Sequence, residues 1–297
     1  MDLSTFVQHI INGISLGSLY ALIAIGYTMV YGILLLINFA HGDIFMMAGY
    51  FMIFSVINFG LPFFIAIPLV LTLTVILGIV LERTAYRPLR NAPRMSIMIS
   101  AIGASYFLEN LATYLFTGVP KRFPEISWLT KVVTFGNVSF QIVTIITPIV
   151  TMILLFGLMT LVNKTKVGMA MRAASKDYEA ARLMGIKINW IIGITFIIGS
   201  FLAAIGSILW GSKYPSVYPL VGMMPGLKCF IAAVFGGIGN IPGAVLGGLT
   251  LGLGEALLVA FIPSMTGYRD AFAFILLIII LIVKPNGLLG EKVTDKV

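Results

Sequence analysis

The stretch LSTFVQHIINGISLGSLYALIAIGYTMVYGILLLINFAHG, residues 3–42, contains no Asp, Glu, Lys or Arg. Three further runs, 44–81, 132–163 and 188–212, lack these charges too. Each run is long enough for at least one helix of about 20 apolar residues, the length that crosses a bilayer. A membrane β-barrel would instead alternate polar and apolar positions. The runs therefore predict an all-α fold, a polytopic bundle of transmembrane helices.

The composition of the whole chain agrees with a membrane protein. Of 297 residues, 59% are hydrophobic and 10% are charged, against about 45–50% and 25% in a soluble domain. The net charge of +8 is better explained by basic cytoplasmic loops than by nucleic-acid binding. The single Cys229 excludes a disulfide within the chain, and no Cys/His spacing points to a metal. The N-terminus has neither the basic region nor the cleavage site of a secretory signal.

Basic residues are concentrated in three segments, which predicts the topology. These are 82–94, 163–189 and the C-terminal tail, all of which we expect in the cytoplasm. The loop 118–141 is then external, although it carries three basic residues of its own. This arrangement predicts about nine spans, within limits of eight to ten, with the N-terminus outside and the C-terminus inside. The predicted spans are 10–37, 44–59, 62–81, 96–117, 141–162, 188–210, 227–238, 244–262 and 268–283.

Two predicted spans, 44–59 and 227–238, are short and flanked by glycine, so either is also compatible with a half-helix that turns back. A weak similarity between residues 32–43 and 236–244 suggests paired interrupted helices, which in transporters mark a pathway. The sequence leaves open whether this is a true repeat. Glycines spaced by four in 243–252 allow close helix packing, either within the bundle or against a partner subunit.

The stretch RAASKDYEAARLMGI, residues 172–186, predicts a short charged helix between two apolar spans. We expect Ser175 to cap its N-terminus and Gly185 to end it. Acidic residues in the first turn and a basic one in the last suit the helix dipole. The helix is either a docking site for a protein outside the bilayer or an amphipathic helix on the membrane surface. The predicted docking residues are Arg172, Asp177, Glu179, Ala180, Arg182, Leu183 and Gly185.

Four motifs in the same order resemble one family. Glu-Ala-Ala followed by glycine, within 172–186, resembles the loop by which permeases of ATP-binding-cassette importers dock on their ATPases. INFAHGD at 37–43, FGGIGNIPGAVLGG at 235–248 and KPNGLLG at 284–290 extend the resemblance to residues 13–290. Together they resemble the high-affinity branched-chain amino acid permeases, and the short length resembles the smaller of their two permeases.

This resemblance implies the partners of the chain. They are a second related permease, two cytoplasmic ATPase subunits that hold ATP and Mg, and a periplasmic substrate-binding protein, all at a bacterial inner membrane. The chain itself, one permease domain over 1–297 with a docking loop at about 163–189, is expected to hold no cofactor and to be no enzyme. It has no phosphate-binding G-x-x-x-x-G-K-[ST] motif.

Three alternatives to a branched-chain amino acid importer remain open at this point. The first is a urea or short-amide importer permease of the same class. The second is a self-contained secondary transporter or channel, which would need coupling-ion residues near the midplane. An integral-membrane enzyme has the least support, because the chain contains neither H-E-x-x-H nor G-x-S-x-G.

Ionisable and polar groups inside spans are candidate pathway or gate residues, because burying them is costly. Asp43 and His41 lie either at a cytoplasmic gate or at a helix cap, with His41 facing water in the second case. Glu109 either lines the pathway or bonds a neighbouring helix. For Glu255 we favour a structural partner, and Arg269 with Asp270 is expected at the outer surface. The predicted pathway residues are Asn38, His41, Gly42, Asp43, Glu109, Gly239 and Asn240.

Overall fold

The computed structural model describes residues 3–34, 37–90, 92–136 and 138–290, which form a bundle of α-helices. In chain order the helices are α1 (Leu3–Leu34), α2 (His41–Ile53), α3 (Phe63–Leu81), α4 (Arg94–Phe116), α5 (Ser127–Thr130), α6 (Ile142–Lys164), α7 (Lys166–Lys176), α8 (Tyr178–Leu183), α9 (Ile188–Lys213), α10 (Met223–Gly236), α11 (Ile241–Phe261) and α12 (Arg269–Val283). Wider π-helical turns continue α2 over Phe54–Asn58 and α3 over Glu82–Tyr86, and 3₁₀ turns occupy Arg87–Leu89 and Pro263–Tyr268.

Each of the nine predicted spans contains one of these helices. Within the described residues, seven helices with their flanking turns are long and apolar enough to cross a membrane, which confirms the all-α polytopic bundle. The other two are α2, with 13 residues, and α10, with 14. They are the two spans that the sequence marks as short.

The few strands lie together at one end of the bundle, which we call the hairpin end. Strands β1 (Lys121–Arg122), β2 (Val132–Phe135), β3 (Val138–Gln141) and β4 (Ser216–Val217) form two antiparallel pairs, β1 with β4 and β2 with β3. Gln8 near the start of α1 donates to the carbonyl of Ser139 at 2.9 Å. The predicted external loop therefore folds against the start of α1.

The basic segments meet at the opposite end, which we call the basic end. Arg90, after α3, donates to the side chain of Asn189 at the start of α9. Near the chain's end, Leu289 donates its backbone N–H to Gly236 at 2.9 Å. The segments predicted to share the cytoplasm thus lie on one side of the bundle, except that Lys292 and Lys296 fall outside the described residues.

Helix α1 is the central element, and glycines bring its backbone close to that of α11. A Cβ added to Gly17 would lie 2.8 Å from the Cα of Leu249, and one added to Gly252 would overlap the backbone of Gly17. On another face of α11, a Cβ at Gly247 would overlap Ala232 of α10. The glycine spacing therefore serves packing within the chain, and the alternative, a seam with a partner subunit, is wrong for these glycines.

Replacing Gly252 with alanine should destabilise the protein, because the new Cβ has no room against Gly17. Overpacking of this kind typically costs about 1–3 kcal/mol. We expect a lower yield of monodisperse protein in detergent, measured by fluorescence-detected size-exclusion chromatography. Gly103→Ala in α4 is the matched control, since a Cβ there meets nothing within 4 Å. Equal yields of the two variants would contradict the packing argument.

Helices α2 and α10 both begin inside the bundle. The ring of His41, the first residue of α2, lies 3.7 Å from a Cβ built on Gly199, the twelfth residue of the 26-residue α9. At the same depth, a Cβ on Gly42 would lie 2.6 Å from the carbonyl oxygen of Gly222, just before α10. The two short helices therefore start side by side about half-way through the molecule. Non-helical backbone at this depth requires protein or water around it.

This placement corrects the second interruption predicted from sequence. The turn at 237–240 only joins α10 to α11 at the basic end. The chain is instead interrupted on the other side of α10, at 214–222, which descends from the hairpin end to the middle of the bundle. The glycines that drew attention are concentrated in 236–244, whereas 214–222 contains only Gly222, so glycine content pointed to the surface turn and missed the interruption.

Candidate functional site

The charged segment 172–186 contains a short helix, α8, with well-formed ends. Asp177 is its N-cap, and the Asp177 carboxylate accepts from the backbone N–H of Glu179 at 2.8 Å and of Ala180 at 3.1 Å. Gly185, at φ +82°, follows the helix in the left-handed conformation that glycine adopts most readily. The predicted helix end is therefore confirmed, and the capping residue is Asp177.

The prediction of one helix starting at Ser175 is wrong. Ser175 lies inside α7, where its hydroxyl donates to the carbonyl of Arg172 at 2.9 Å. Arg172 is also on α7, and its guanidinium donates to the Asn163 side chain at 3.1 Å. The extended backbone at Asp177, with φ −158°, separates α7 from α8. An aspartate two positions later competes with serine for the cap, and its charged oxygen is the stronger acceptor.

One face of α8 presents apolar side chains to the outside, and we call Ala180, Leu183 and Met184 the α8 patch. Leu183 is 88% exposed and Met184 is 83% exposed. On the other face Ala181 is only 4% exposed and packs into the core. Glu179 and Arg182 are exposed beside the patch. Large apolar side chains exposed on a polar helix are typical of a contact with a protein or with the membrane surface.

The α8 helix is held to the bundle by a hydrogen bond that the sequence did not reveal. The Tyr178 hydroxyl donates to the carbonyl of Ile33 at the end of α1. Burial raises the pKa of Tyr178, against an opposing effect of Arg90, so the phenol stays a donor at neutral pH. Beside it, Arg90 pairs with the buried Glu82 and donates to Asn189. Burial lowers the pKa of this arginine, but Glu82 favours its charged form.

A cavity of about 270 Å³ lies where α2 and α10 begin. It contains three of the predicted pathway residues, Gly42, Asp43 and Glu109. Asp43 is 3% exposed, and its carboxylate accepts from the Ser105 hydroxyl at 2.5 Å. Glu109 borders this space, and its role in lining a pathway stays a prediction. The remaining lining residues are Tyr27, Phe39, Ile102, Ser105, Tyr106, Leu220, Gly222, Met223, Gly226 and Leu227.

Asn38 and His41 precede the cavity but do not line it. The Asn38 side chain accepts from the Tyr86 hydroxyl at 2.6 Å. His41 is 1% exposed, and its ring lies 4.6 Å from that of Tyr27, centroid to centroid. The alternative in which His41 faces water is therefore wrong: the interruption before α2 carries it into the core. Both residues hold the start of α2 in place.

Gly239 and Asn240 lie at the basic end, away from this cavity. Gly239 lines a smaller cavity of about 90 Å³ together with Arg172. The Asn240 side chain caps α11, accepting from the Gly243 N–H at 3.0 Å and donating to the Leu289 carbonyl at 2.8 Å. The structure thus gives Asn240 a capping contact, and it separates these two residues from Asp43 and Glu109.

A buried ion-pair cluster lies on the other side of α10, and its cation escaped the sequence reasoning. Lys228 Nζ lies 2.9 Å from Glu255 Oε1 and 2.7 Å from Asp270 Oδ1. The Tyr20 hydroxyl donates to Glu255 at 3.2 Å. The structural partner favoured for Glu255 is thus confirmed, while Asp270, expected only at the surface, joins the cluster. A lysine within an apolar span was itself the signal that could have found it.

Comparison with known proteins gives the family. The family described as the permease component of the branched-chain amino acid transport system matches residues 9–281. The high-affinity branched-chain amino acid transport permease BraD of Pseudomonas aeruginosa is 39% identical, with 98% of each chain covered. LivH of Escherichia coli, a permease of the same description, is 40% identical, also over 98% of each chain. The probable branched-chain amino acid permease LivH of Methanocaldococcus jannaschii is 27% identical, covering 92% of this chain and 89% of its own.

The seven apolar helices make this a multi-pass membrane protein. The family match spans nearly all of them, from within α1 to within α12. The resemblance found in the four sequence motifs is thereby confirmed over almost the whole chain. The protein belongs to the family of branched-chain amino acid transport permeases and is a permease subunit of an importer.

Proposed function

We propose that the chain forms one half of the membrane pathway of an ATP-binding-cassette importer for branched-chain amino acids. A second related permease forms the other half, two ATPase subunits bind ATP and Mg, and a periplasmic protein delivers the substrate. The observation that carries this proposal is the α8 patch, an exposed apolar surface on a capped helix that is anchored to α1. A self-contained transporter has no use for such a surface.

The docking residues follow from exposure. We assign Ala180, Leu183 and Met184 to the contact with an ATPase, with Glu179 and Arg182 at its polar edge. Asp177 and Gly185 shape the ends of the helix. Arg172 belongs to α7 and borders the small cavity at the basic end instead.

The orientation follows from charge. The basic end, which includes α7, α8 and Lys284, faces the cytoplasm of a bacterial inner membrane, because positive loops are retained there. The start of α1 and the hairpin end are then outside, where the periplasmic protein docks. This places the N-terminus outside and the C-terminus inside, and it puts the α8 patch within reach of a cytoplasmic ATPase.

The proposal is tested by purifying the chain from its native membrane in a gentle detergent and identifying co-purified proteins by mass spectrometry. We expect two ATPase subunits and one second permease for each copy of this chain. The reconstituted complex should then take up labelled leucine, isoleucine or valine when ATP is supplied inside. Recovery of the chain alone as a stable homo-oligomer would contradict the importer, and uptake of urea in place of amino acids would contradict the substrate.

A further inference from the structure

The cavity between α2, α4 and α10 carries two carboxylates and no counter-charge. Asp43 and Glu109 both line it, whereas the lining residues among those described include no Lys, Arg or His. Asp43 is 3% exposed, and its carboxylate accepts a hydrogen bond from the hydroxyl of Ser105. A buried carboxylate without a cation is costly unless a ligand supplies one. The cavity is therefore complementary to a positively charged group.

The position of Asp43 suits its carboxylate to contact with such a group. It lies in the first turn of α2, where the helix dipole favours an anion. Gly42 lets the start of α2 approach Gly222 so closely that any side chain would meet its carbonyl oxygen. The contact fixes the carboxylate at the cavity's edge, half-way through the bundle.

The rest of the cavity is apolar and suits an aliphatic side chain. Ile102, Leu220, Met223 and Leu227 line the space. Its volume of about 270 Å³ lies near the lower end of the roughly 300–1,000 Å³ usual for small-molecule sites. A cationic group and a branched aliphatic chain, at opposite sides of one small molecule, would satisfy both parts of the lining.

The cavity opens along a helix that is poorly suited to lipid. Among the seven candidate spans in the described residues, α4 has the lowest mean hydropathy, 1.2. Only 22% of its 18-residue apolar stretch is nevertheless buried inside the structure. It leaves Tyr106 and Asn110 exposed on its surface. A span that is this polar and this uncovered fits the wall of a pathway better than a lipid-facing surface. The opening of the cavity therefore lies where a second permease would close it.

We infer that the cavity holds the transported amino acid, with its ammonium group between Asp43 and Glu109 and its aliphatic side chain against Ile102, Met223 and Leu227. This inference rests on the proposed function and adds the site and the orientation. It also separates amino acids from urea and short amides, which carry no ammonium group. The ammonium group supplies the cation that the two carboxylates lack, and the substrate's own carboxylate is left to the open side of the cavity, since the lining holds no Lys, Arg or His to pair with it.

The test uses the complete importer in proteoliposomes, with its binding protein and labelled leucine. Asp43→Asn and Glu109→Gln keep the shape of each side chain and remove its charge. We expect each to lower the initial uptake rate about tenfold or more, as expected when a charge-assisted contact is lost. ATP hydrolysis stimulated by the binding protein should persist, because neither residue touches α8. Thr72→Val, at an exposed threonine of α3 that does not line the cavity, is the control and should leave uptake unchanged.

A photoreactive leucine with a diazirine side chain provides a second readout that does not depend on variants folding. It should label peptides containing Ile102 or Met223 in the wild-type complex. Wild-type uptake rates in both variants, or labelling confined to other peptides, would overturn the site while leaving the importer intact. A wild-type complex that imports no amino acid would instead overturn the proposed function.

Discussion

Uptake should stop, with normal amounts of protein in the membrane, when Leu183 is replaced by aspartate. Leu183 is 88% exposed on the α8 patch, so the change costs the folded chain little. A carboxylate at the centre of an apolar contact with an ATPase would be buried without a partner and would prevent docking. We expect a loss of more than about tenfold in leucine uptake, since each 1.4 kcal/mol of lost binding is a factor of ten. Uptake in cells and immunoblots of membranes measure the two quantities.

Met265→Asp is the control for this substitution. Met265 is also a partly exposed apolar residue, at 42%. It lies in the Pro263–Tyr268 turn that follows α11, at the end of the bundle opposite α8. It should leave uptake unchanged. Co-purification of the ATPase should fall for Leu183→Asp and not for Met265→Asp. Normal uptake by Leu183→Asp would mean that α8 rests on the membrane surface instead of docking a protein.

Loss of the Lys228 side chain should produce the largest drop in stability. Lys228→Met removes the cation between Glu255 and Asp270 and leaves Glu255, 1% exposed, without its charged partner. Removing one member of a buried ion pair typically costs about 3–5 kcal/mol. We therefore expect a lower midpoint of thermal unfolding in detergent, followed by intrinsic tryptophan fluorescence.

A double variant separates the charge from the packing. Lys228→Met combined with Glu255→Gln removes the cation and the buried anion, and it should recover much of the lost stability, because the remaining carboxylate of Asp270 is half-exposed to solvent. Lys284→Met, at an exposed lysine of the basic end, should change the midpoint little. If Lys228→Met unfolds at the wild-type temperature, the cluster is no determinant of the fold.

Most of the fold could be predicted from hydropathy because charge-free runs leave the chain few options. A helix satisfies its own backbone, so a run such as 188–212 has one stable state in lipid. The depth at which α2 and α10 begin was harder to predict. It depends on contacts between residues far apart in the sequence, such as Gly42 and Gly222. Hydropathy records how apolar a segment is and carries no information about depth.

The candidate site could be predicted in part for a similar reason. Asp43 and Glu109 stand out because charge is rare in the spans, and the structure places both at one cavity. Tyr178 and Tyr86 escaped notice, because tyrosine is common in membrane helices and its role depends on where its hydroxyl points. Asn240 drew attention as a polar residue near glycine, but its side chain caps α11. Side-chain type was therefore informative only where its burial is costly.

The hydrogen bond from the Tyr178 hydroxyl to the Ile33 carbonyl couples α8 to the end of α1, so that α1 can act as a lever. With 32 residues, α1 is about 48 Å long at 1.5 Å per residue, and α8 holds it at one tip. At Gly17, Gly248 and Gly252 the backbones of α1 and α11 come into close contact, so the pair should tilt as one rigid arm. If a cytoplasmic ATPase displaced α8, the two helices would tilt together. Their far ends, at the opposite surface of the membrane, would then move as well. The pivot would lie near the mid-depth point where α2 and α10 begin.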